Sequence, residues 1–205
     1  SFNNLISFSK SIFHDYQSKY LNSISLRKTL INFSLSFLAN YAYLAELDLS
    51  SCSKIDMKVE ATVLRSLPRL KKLLLSDLNI STLNLFDFSL YNRLEYLDLS
   101  HNLIDYFPPS ILAKNIRITY LLLNNHRLHG MFAFVSKKLE HLDLGDNRLV
   151  HVSISVDNEN EPLRVLKLKN NQFVRFSIDR FTMEHKYLEY VDLSYNNLSQ
   201  LVDMN

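Results

Sequence analysis

Residues 44–52 read LAELDLSSC, residues 70–78 read LKKLLLSDL and residues 94–102 read LEYLDLSHN. Each nonamer places leucine at its first, fourth and sixth positions. The frame continues through Ile118, Leu121, Leu123 and His126, then Leu139, Leu142, Leu144 and Asn147. Leu163, Leu166, Leu168 and Asn171 follow, and then Leu188, Val191, Leu193 and Asn196, with a weaker copy at Leu21, Ile24, Leu26 and Thr29 upstream. First positions are 23, 26, 24, 24, 21, 24 and 25 residues apart. Within each copy the fourth and sixth positions alternate with polar or variable residues, the period of a short strand with one buried face. A strand this short cannot bury its leucines alone. Stacking successive copies in parallel, about 4.8 Å apart, buries them in one continuous core.

Other positions recur in the same frame. Two residues past the ninth position lies a second inward set, Ile80, Ile104, Leu128, Leu149, Phe173 and Leu198. Three residues further comes a third, Leu83, Phe107, Met131, Val152, Phe176 and Leu201, while Phe88, Leu112 and Phe181, with Phe13, form a spine behind it. At the ninth position Asn102, Asn147, Asn171 and Asn196 can satisfy backbone groups of neighbouring turns. Cys52 and Thr29 are tolerated variants, His126 is expected to donate similarly, and Leu78 should break the ladder. Lys58–Leu67 predicts a short helix stopped before Pro68. Asp179–His185 suggests another helical turn, and the acidic Ser153–Pro162 stretch a loop.

This frame resembles the leucine-rich repeat, LxxLxLxx(N/C)xL, over the whole chain. The resemblance implies an α/β solenoid, a horseshoe with a parallel concave β-sheet and an irregular or short-helical convex side. Residues 1–205 are expected to form a single array of about eight repeats plus a partial N-terminal one. Residues 1–8 align with 194–201, so the chain is expected to be an uncapped fragment of a longer array.

Composition excludes much chemistry. With 2 glycines in 205 residues, where average usage would give roughly 14, no glycine-rich phosphate loop can be written. One cysteine rules out an internal disulfide framework, a cysteine-rich zinc site or an iron–sulfur cluster. The formal charge of +2 is spread along the chain, which gives no basic patch for nucleic acid. No apolar run is long enough to insert into a membrane. Scarce glycine suggests turns built from Asn, Asp and Ser.

On the concave side, Leu74, Tyr96, Tyr120, Leu122 and His141 form an apolar and aromatic patch, with Asp98, Asp143 and Asp146 around it. His101, Asn124, Lys167, Tyr190 and Asp192 extend the same columns. Tyrosine clustered with apolar residues and rimmed by charge has the make-up of a protein interface, although cross-strand stacking accounts for the tyrosine column as well. Ser100, His101, His141, Asp98 and Asp143 include the residue types of a hydrolase triad. Adjacent Ser100 and His101 cannot easily hold nucleophile–base geometry, and no oxyanion hole is indicated. A metal between His101 and His141 is conceivable, but the repeat alone explains both positions. The expectation is a non-enzymatic module with a protein partner and with no metal or cofactor; histidines on the face could make binding pH-dependent.

Sequons stand at Asn32, Asn79 and Asn197. Composition alone accounts for about three in a chain this rich in Asn and Ser, so they permit secretion without requiring it. The variable repeat lengths, with LLLSDLNI (73–80), NLIDYFPPSIL (102–112) and the run from RLVHVSI (148–154) to LRVLKLKNNQFVRF (163–176), resemble mosquito secreted leucine-rich-repeat immune proteins. More distantly they resemble Toll-type ectodomains. That resemblance implies an extracellular glycoprotein of insect innate immunity binding complement-like thioester proteins. It also implies a disulfide-linked heterodimer formed by regions outside these residues. A Toll-like or adhesion-receptor ectodomain and an intracellular scaffold are the alternatives.

Overall fold

A computed structural model describes residues 20–30, 34–52, 54–155, 163–176 and 187–201. Eight three-residue strands, one per repeat, form a parallel sheet: β1 (Ser23–Ser25), β2 (Glu46–Asp48), β3 (Lys72–Leu74), β4 (Tyr96–Asp98), β5 (Tyr120–Leu122), β7 (His141–Asp143), β9 (Val165–Lys167) and β11 (Tyr190–Asp192). Their register places Leu47, Leu73, Leu97, Leu121, Leu142, Leu166 and Val191 side by side, as the leucine frame requires. The central leucines Leu47, Leu73, Leu97, Leu121, Leu142 and Leu166 are buried. One core runs from Ile24 to Phe176 through every repeat between them.

Every repeat leaves its strand through a left-handed residue. Lys28, Ser51, Asp77, His101, Asn125, Asp146, Asn170 and Tyr195, each just before the ninth position, have φ between 51° and 58°. The expected Asn, Asp and Ser fill this position at Ser51, Asp77, Asn125, Asp146 and Asn170, while Lys28, His101 and Tyr195 fill it in the other repeats. The conformation costs about 1–2 kcal/mol for an ordinary L-residue, and a hydrogen bond offsets it. The amide of the left-handed residue donates to a carbonyl of the next repeat, as His101 does to Asn124 (2.9 Å) and Asn125 to Gly145 (2.9 Å).

The asparagine ladder closes the turn from inside. Asn102 Nδ2 donates to Leu99 O (2.7 Å), Ser100 O (3.2 Å) and, one repeat back, Leu75 O (2.8 Å). Its Oδ1 accepts the amides of Leu78 and Ile80, both at 2.9 Å. Asn147, Asn171 and Asn196 repeat the pattern. Cys52 and Thr29 manage part of it, Cys52 Sγ reaching Leu26 O at 2.9 Å and Thr29 Oγ1 the same carbonyl at 2.6 Å. Leu78 is buried without a side-chain donor, so the ladder is interrupted there. His126 departs from expectation. Its ring is buried, and neither nitrogen has a partner in hydrogen-bonding geometry. Imidazole is larger than the carboxamide and cannot present a donor and an acceptor at the same two points.

The outer side is mixed. Helix α1 spans Met57–Leu64, starting one residue earlier and ending three before the sequence limit. Among the described residues, 3-10 helices span Leu35–Asn40 and Phe88–Leu90. Glu60 of α1 is buried and its Oε2 accepts the Leu35 amide at 2.9 Å. Phe88 and Leu112 are buried in the spine, and Asn115 Nδ2 donates to Phe88 O and Tyr91 O, both at 2.8 Å.

Two strands on this side are longer than an irregular layer would contain. β6 (His129–Val135) and β8 (Arg148–Ser155) form a parallel ribbon with a register shift at Gly130/Met131; β10 (Arg175–Phe176) pairs with β12 (Gln200–Leu201). Met131, expected inward, is 67% exposed, and Phe132 is buried instead. Left-handed Gly130 (φ 70°) and the shift advance the inward position by one residue. Ser153–Ser155, expected to begin a loop, belong to β8. Phe13, Phe181, residues 1–8, 156–162 and 179–185, and Asn32 lie outside the described residues.

Candidate concave-face site

In each concave strand the residues flanking the buried leucine project from the sheet. The first column runs Glu46, Lys72, Tyr96, Tyr120, His141, Val165 and Tyr190 in register. Strand spacing of about 4.8 Å matches the separation of stacked rings. The rings of Tyr96 and Tyr120 stack at 5.4 Å with 21° between planes, and those of Tyr120 and His141 at 5.4 Å with 23°. Lys72 Nζ lies over the outer face of Tyr96, 5.0 Å from its centroid. The result is a row of four side chains crossing β3, β4, β5 and β7. Lys72 sits in the column the sequence displays, but its membership of the row is visible only once the ring planes are known.

The row is half-buried, with Tyr120 the most open member at 39%. Burial, followed by the neighbouring Asp98 carboxylate, raises the Tyr96 phenol above its ordinary value. Burial, reinforced by the Lys167 ammonium and opposed by Asp143, lowers the His141 imidazole below its ordinary value. Both groups are therefore held in their uncharged forms around neutrality. Such a row offers flat aromatic edges and hydrogen-bonding tips.

In the second column, Leu74, Asp98, Leu122, Asp143, Lys167 and Asp192 lie in register. Asp98 stands between Leu74 and Leu122. The aspartates are partly engaged, because Asp98, Asp143 and Asp192 each accept, on Oδ1, the amide two residues on (2.8, 3.0 and 2.9 Å). They shape the strand-to-turn transition and leave one oxygen each to the face. Bonds from Ser194 lower the Asp192 carboxyl. Asp143 Oδ2 also faces Lys167 Nζ at 3.6 Å. Asp146 Oδ1 accepts Asn170 Nδ2 at 2.7 Å, and Asn124 is half-buried in the third column. His101 is exposed at the left-handed turn position, outside the stack. Tyr190 and Asp192 continue the columns on β11, with Tyr190 50% exposed.

The triad residue types do not form a relay. Ser100 is buried and its Oγ donates to Ser76 Oγ at 3.2 Å, which commits the hydroxyl to the turn. Among the described residues no group of three or more His, Cys, Asp or Glu is arranged to hold a metal ion, and no helix is long and apolar enough to cross a membrane. Cys52 is buried and free, with burial the main cause of its raised thiol. Asn79 and Asn197 are exposed, each one residue past the ladder position.

A parallel sheet of one short strand per repeat, a left-handed turn and an internal asparagine ladder decide the architecture. The fold is a leucine-rich-repeat solenoid. The Leucine Rich Repeat family model matches residues 93–115, one full repeat that includes Tyr96 and Asp98. Among curated proteins, the transforming growth factor beta activator LRRC33 of Danio rerio is 30% identical over 138 residues, 62% of this chain and 20% of that protein. Lumican of Gallus gallus is 30% identical over 147 residues, 69% of this chain and 40% of lumican. The chain thus spans well under half the length of either relative. Among solved structures, the leucine-rich repeat domain of APL1B superposes with a TM-score of 0.60 at 18% identity, covering 94% of this chain and 59% of that one. Leucine-rich-repeat solenoids typically present their concave surfaces to protein partners.

Proposed function

We propose that this chain is the non-enzymatic binding region of a secreted leucine-rich-repeat glycoprotein of insect innate immunity, and that its concave row contacts a complement-like thioester protein. The observation that carries the choice of surface is the continuous row Lys72–Tyr96–Tyr120–His141, flanked by Leu74 and Leu122. Stacked rings are pre-ordered, so little side-chain entropy is lost when a partner covers them. The resemblance of residues 73–80, 102–112 and 148–176 to secreted mosquito repeat proteins supports the biological setting. Exposed Asn79 and Asn197 are the glycan positions that fit it, with Asn32 the third. Asp98, His101, Asn124, Asp143, Asp146, Lys167, Tyr190 and Asp192 complete the contact surface.

The test is surface plasmon resonance between purified chain and purified thioester protein. Tyr96→Ala/Tyr120→Ala should weaken binding at least roughly tenfold, since aromatic anchors at an interface centre are commonly worth more than about 1.4 kcal/mol. Unchanged affinity of the folded double variant removes the concave row from the interface.

A further inference from the structure

The outer ribbon carries a second exposed strip. On β6, Phe132 and Phe134 turn inward against Phe107, with ring centroids 5.6 and 6.0 Å apart, so alternation turns Met131 and Val135 outward. On β8, Leu149, Val152 and Ile154 are buried while Val150 is 49% exposed. Val174, 48% exposed, occupies in the next repeat the position that Val150 occupies here, third after the ladder asparagine. Tyr106, 65% exposed, continues the line one repeat earlier. Four consecutive repeats therefore each turn a large apolar side chain outward, Met131 paired across the ribbon with exposed His151 and Val150 standing at the register shift. Exposed apolar side chains recurring in neighbouring repeats, where the core does not use them, are of the kind that marks interaction surfaces.

The charge on the strip is mostly positive. Across positions one to five after the ladder in these repeats stand Arg127, Arg148 and Arg175, all exposed, against a single carboxylate, Asp105. None of the three arginines makes an ion pair among the described residues, where the ion pairs join Lys71 to Glu95, Arg164 to Glu189 and Lys167 to Asp143. Guanidinium groups are suited to bidentate capture of carboxylates, and their weak hydration suits interfaces. Outward Val, Met and Tyr, without Trp or Phe, suit a protein segment better than insertion into a bilayer.

We infer that the β6–β8 ribbon and its flanking turns form a second docking surface, separate from the concave face, for a partner segment bearing carboxylates among apolar side chains. Panning a phage-displayed library of random dodecapeptides on the purified chain tests this. Selected peptides should be enriched in Asp and Glu beside apolar residues. Arg148→Glu/Arg175→Glu and, separately, Met131→Ser/Val150→Ser should each weaken them by roughly tenfold or more. Arg148→Lys/Arg175→Lys should weaken them less than the charge reversal, and Tyr96→Ala/Tyr120→Ala should leave them unaffected. Circular-dichroism melting checks that each variant folds. The inference is overturned if no peptide is selected, if acidic residues are not enriched, or if the folded ribbon variants bind as wild type does. It is overturned equally if the ribbon instead binds vesicles of phosphatidylcholine and phosphatidylserine and releases them on charge reversal.

Discussion

Replacing His126 by asparagine should stabilise the solenoid, and by more as the pH falls. In the wild type the imidazole occupies the ladder position with both nitrogens buried and unpartnered. By the geometry of Asn102 and Asn147, an asparagine there would donate to Leu123 O and Asn124 O in its own turn and to Leu99 O one repeat back. Its Oδ1 would accept the Ile104 amide. Leu99 O already takes Asn102 Nδ2 at 2.7 Å, but a carbonyl has a second lone pair. Ladder bonds of this kind contribute about 0.5–1.5 kcal/mol each. The smaller side chain gives up about 1 kcal/mol of packing, which leaves a net gain of about 1–3 kcal/mol at neutral pH.

Protonation adds a second contribution. Burial pushes the His126 pKa down to about 4 from an ordinary 6.5, with the nearby Asn102 and Leu99 carbonyls opposing it only in part. The unfolded chain therefore binds a proton that the folded chain refuses between those values. Stability from this site is complete above pH 6.5, declines as the pH falls through that window, and declines no further below about 4. The full loss is about 3 kcal/mol, and His126→Asn should abolish it. Urea unfolding followed by tyrosine fluorescence and circular dichroism, at several pH values from neutral to 4, measures the difference between variant and wild type. A difference that stays constant with pH, or a variant less stable at neutrality, would refute the reasoning.

Asn102→Ala removes the donor to Leu75 and Leu99 carbonyls and the acceptor for two amides; a loss of about 3 kcal/mol is expected in the same urea assay. Ser51 sits at φ 57°, so Ser51→Gly should stabilise by up to about 1 kcal/mol after the entropy glycine adds to the unfolded chain, whereas Ser51→Val should destabilise. A Cβ at Gly130 meets nothing within 4 Å, yet φ is 70°, so Gly130→Ala should cost about 1 kcal/mol from backbone strain alone; a neutral effect by thermal melting would show that the ribbon relaxes. A double-mutant cycle on Tyr96 and Tyr120 should return a coupling of about 0.5–1.5 kcal/mol from the 5.4 Å stack, and zero coupling would mean the rings do not stack in solution.

The leucine frame made most of the architecture legible, because strand, ladder and inward residues recur in each copy and burial forces them into register. The reading went wrong where the copies differ. Met131 was expected inward since nothing in the sequence reports a register shift. His126 is expected to donate because its residue type allows it, and only the packed structure shows that neither ring nitrogen meets a partner in full hydrogen-bonding geometry. Asn, Asp and Ser hold the left-handed turn at Ser51, Asp77, Asn125, Asp146 and Asn170, as residue preference leads one to expect, but not in every repeat. A left-handed Lys28 is unexpected from residue preference, and the hydrogen bond from its amide to Ser50 O of the next repeat (2.9 Å) belongs to the stack rather than to the local chain.

Of the candidate site, the sequence could list which residues share a column. Repeat spacing determines that, as it determines the parallel sheet, the continuous core and the ladder. It could not show that Lys72 closes one end of the tyrosine row, that Asp98 and Asp143 spend an oxygen on their own turns, or that Met131, Val150 and Val174 face outward on a side whose arginines make no ion pair among the described residues. Those depend on side-chain directions and on contacts between residues about one repeat apart. Periodicity encodes what every repeat has in common; the surface features come from the ways neighbouring repeats differ, and only packing them together brings those differences into contact.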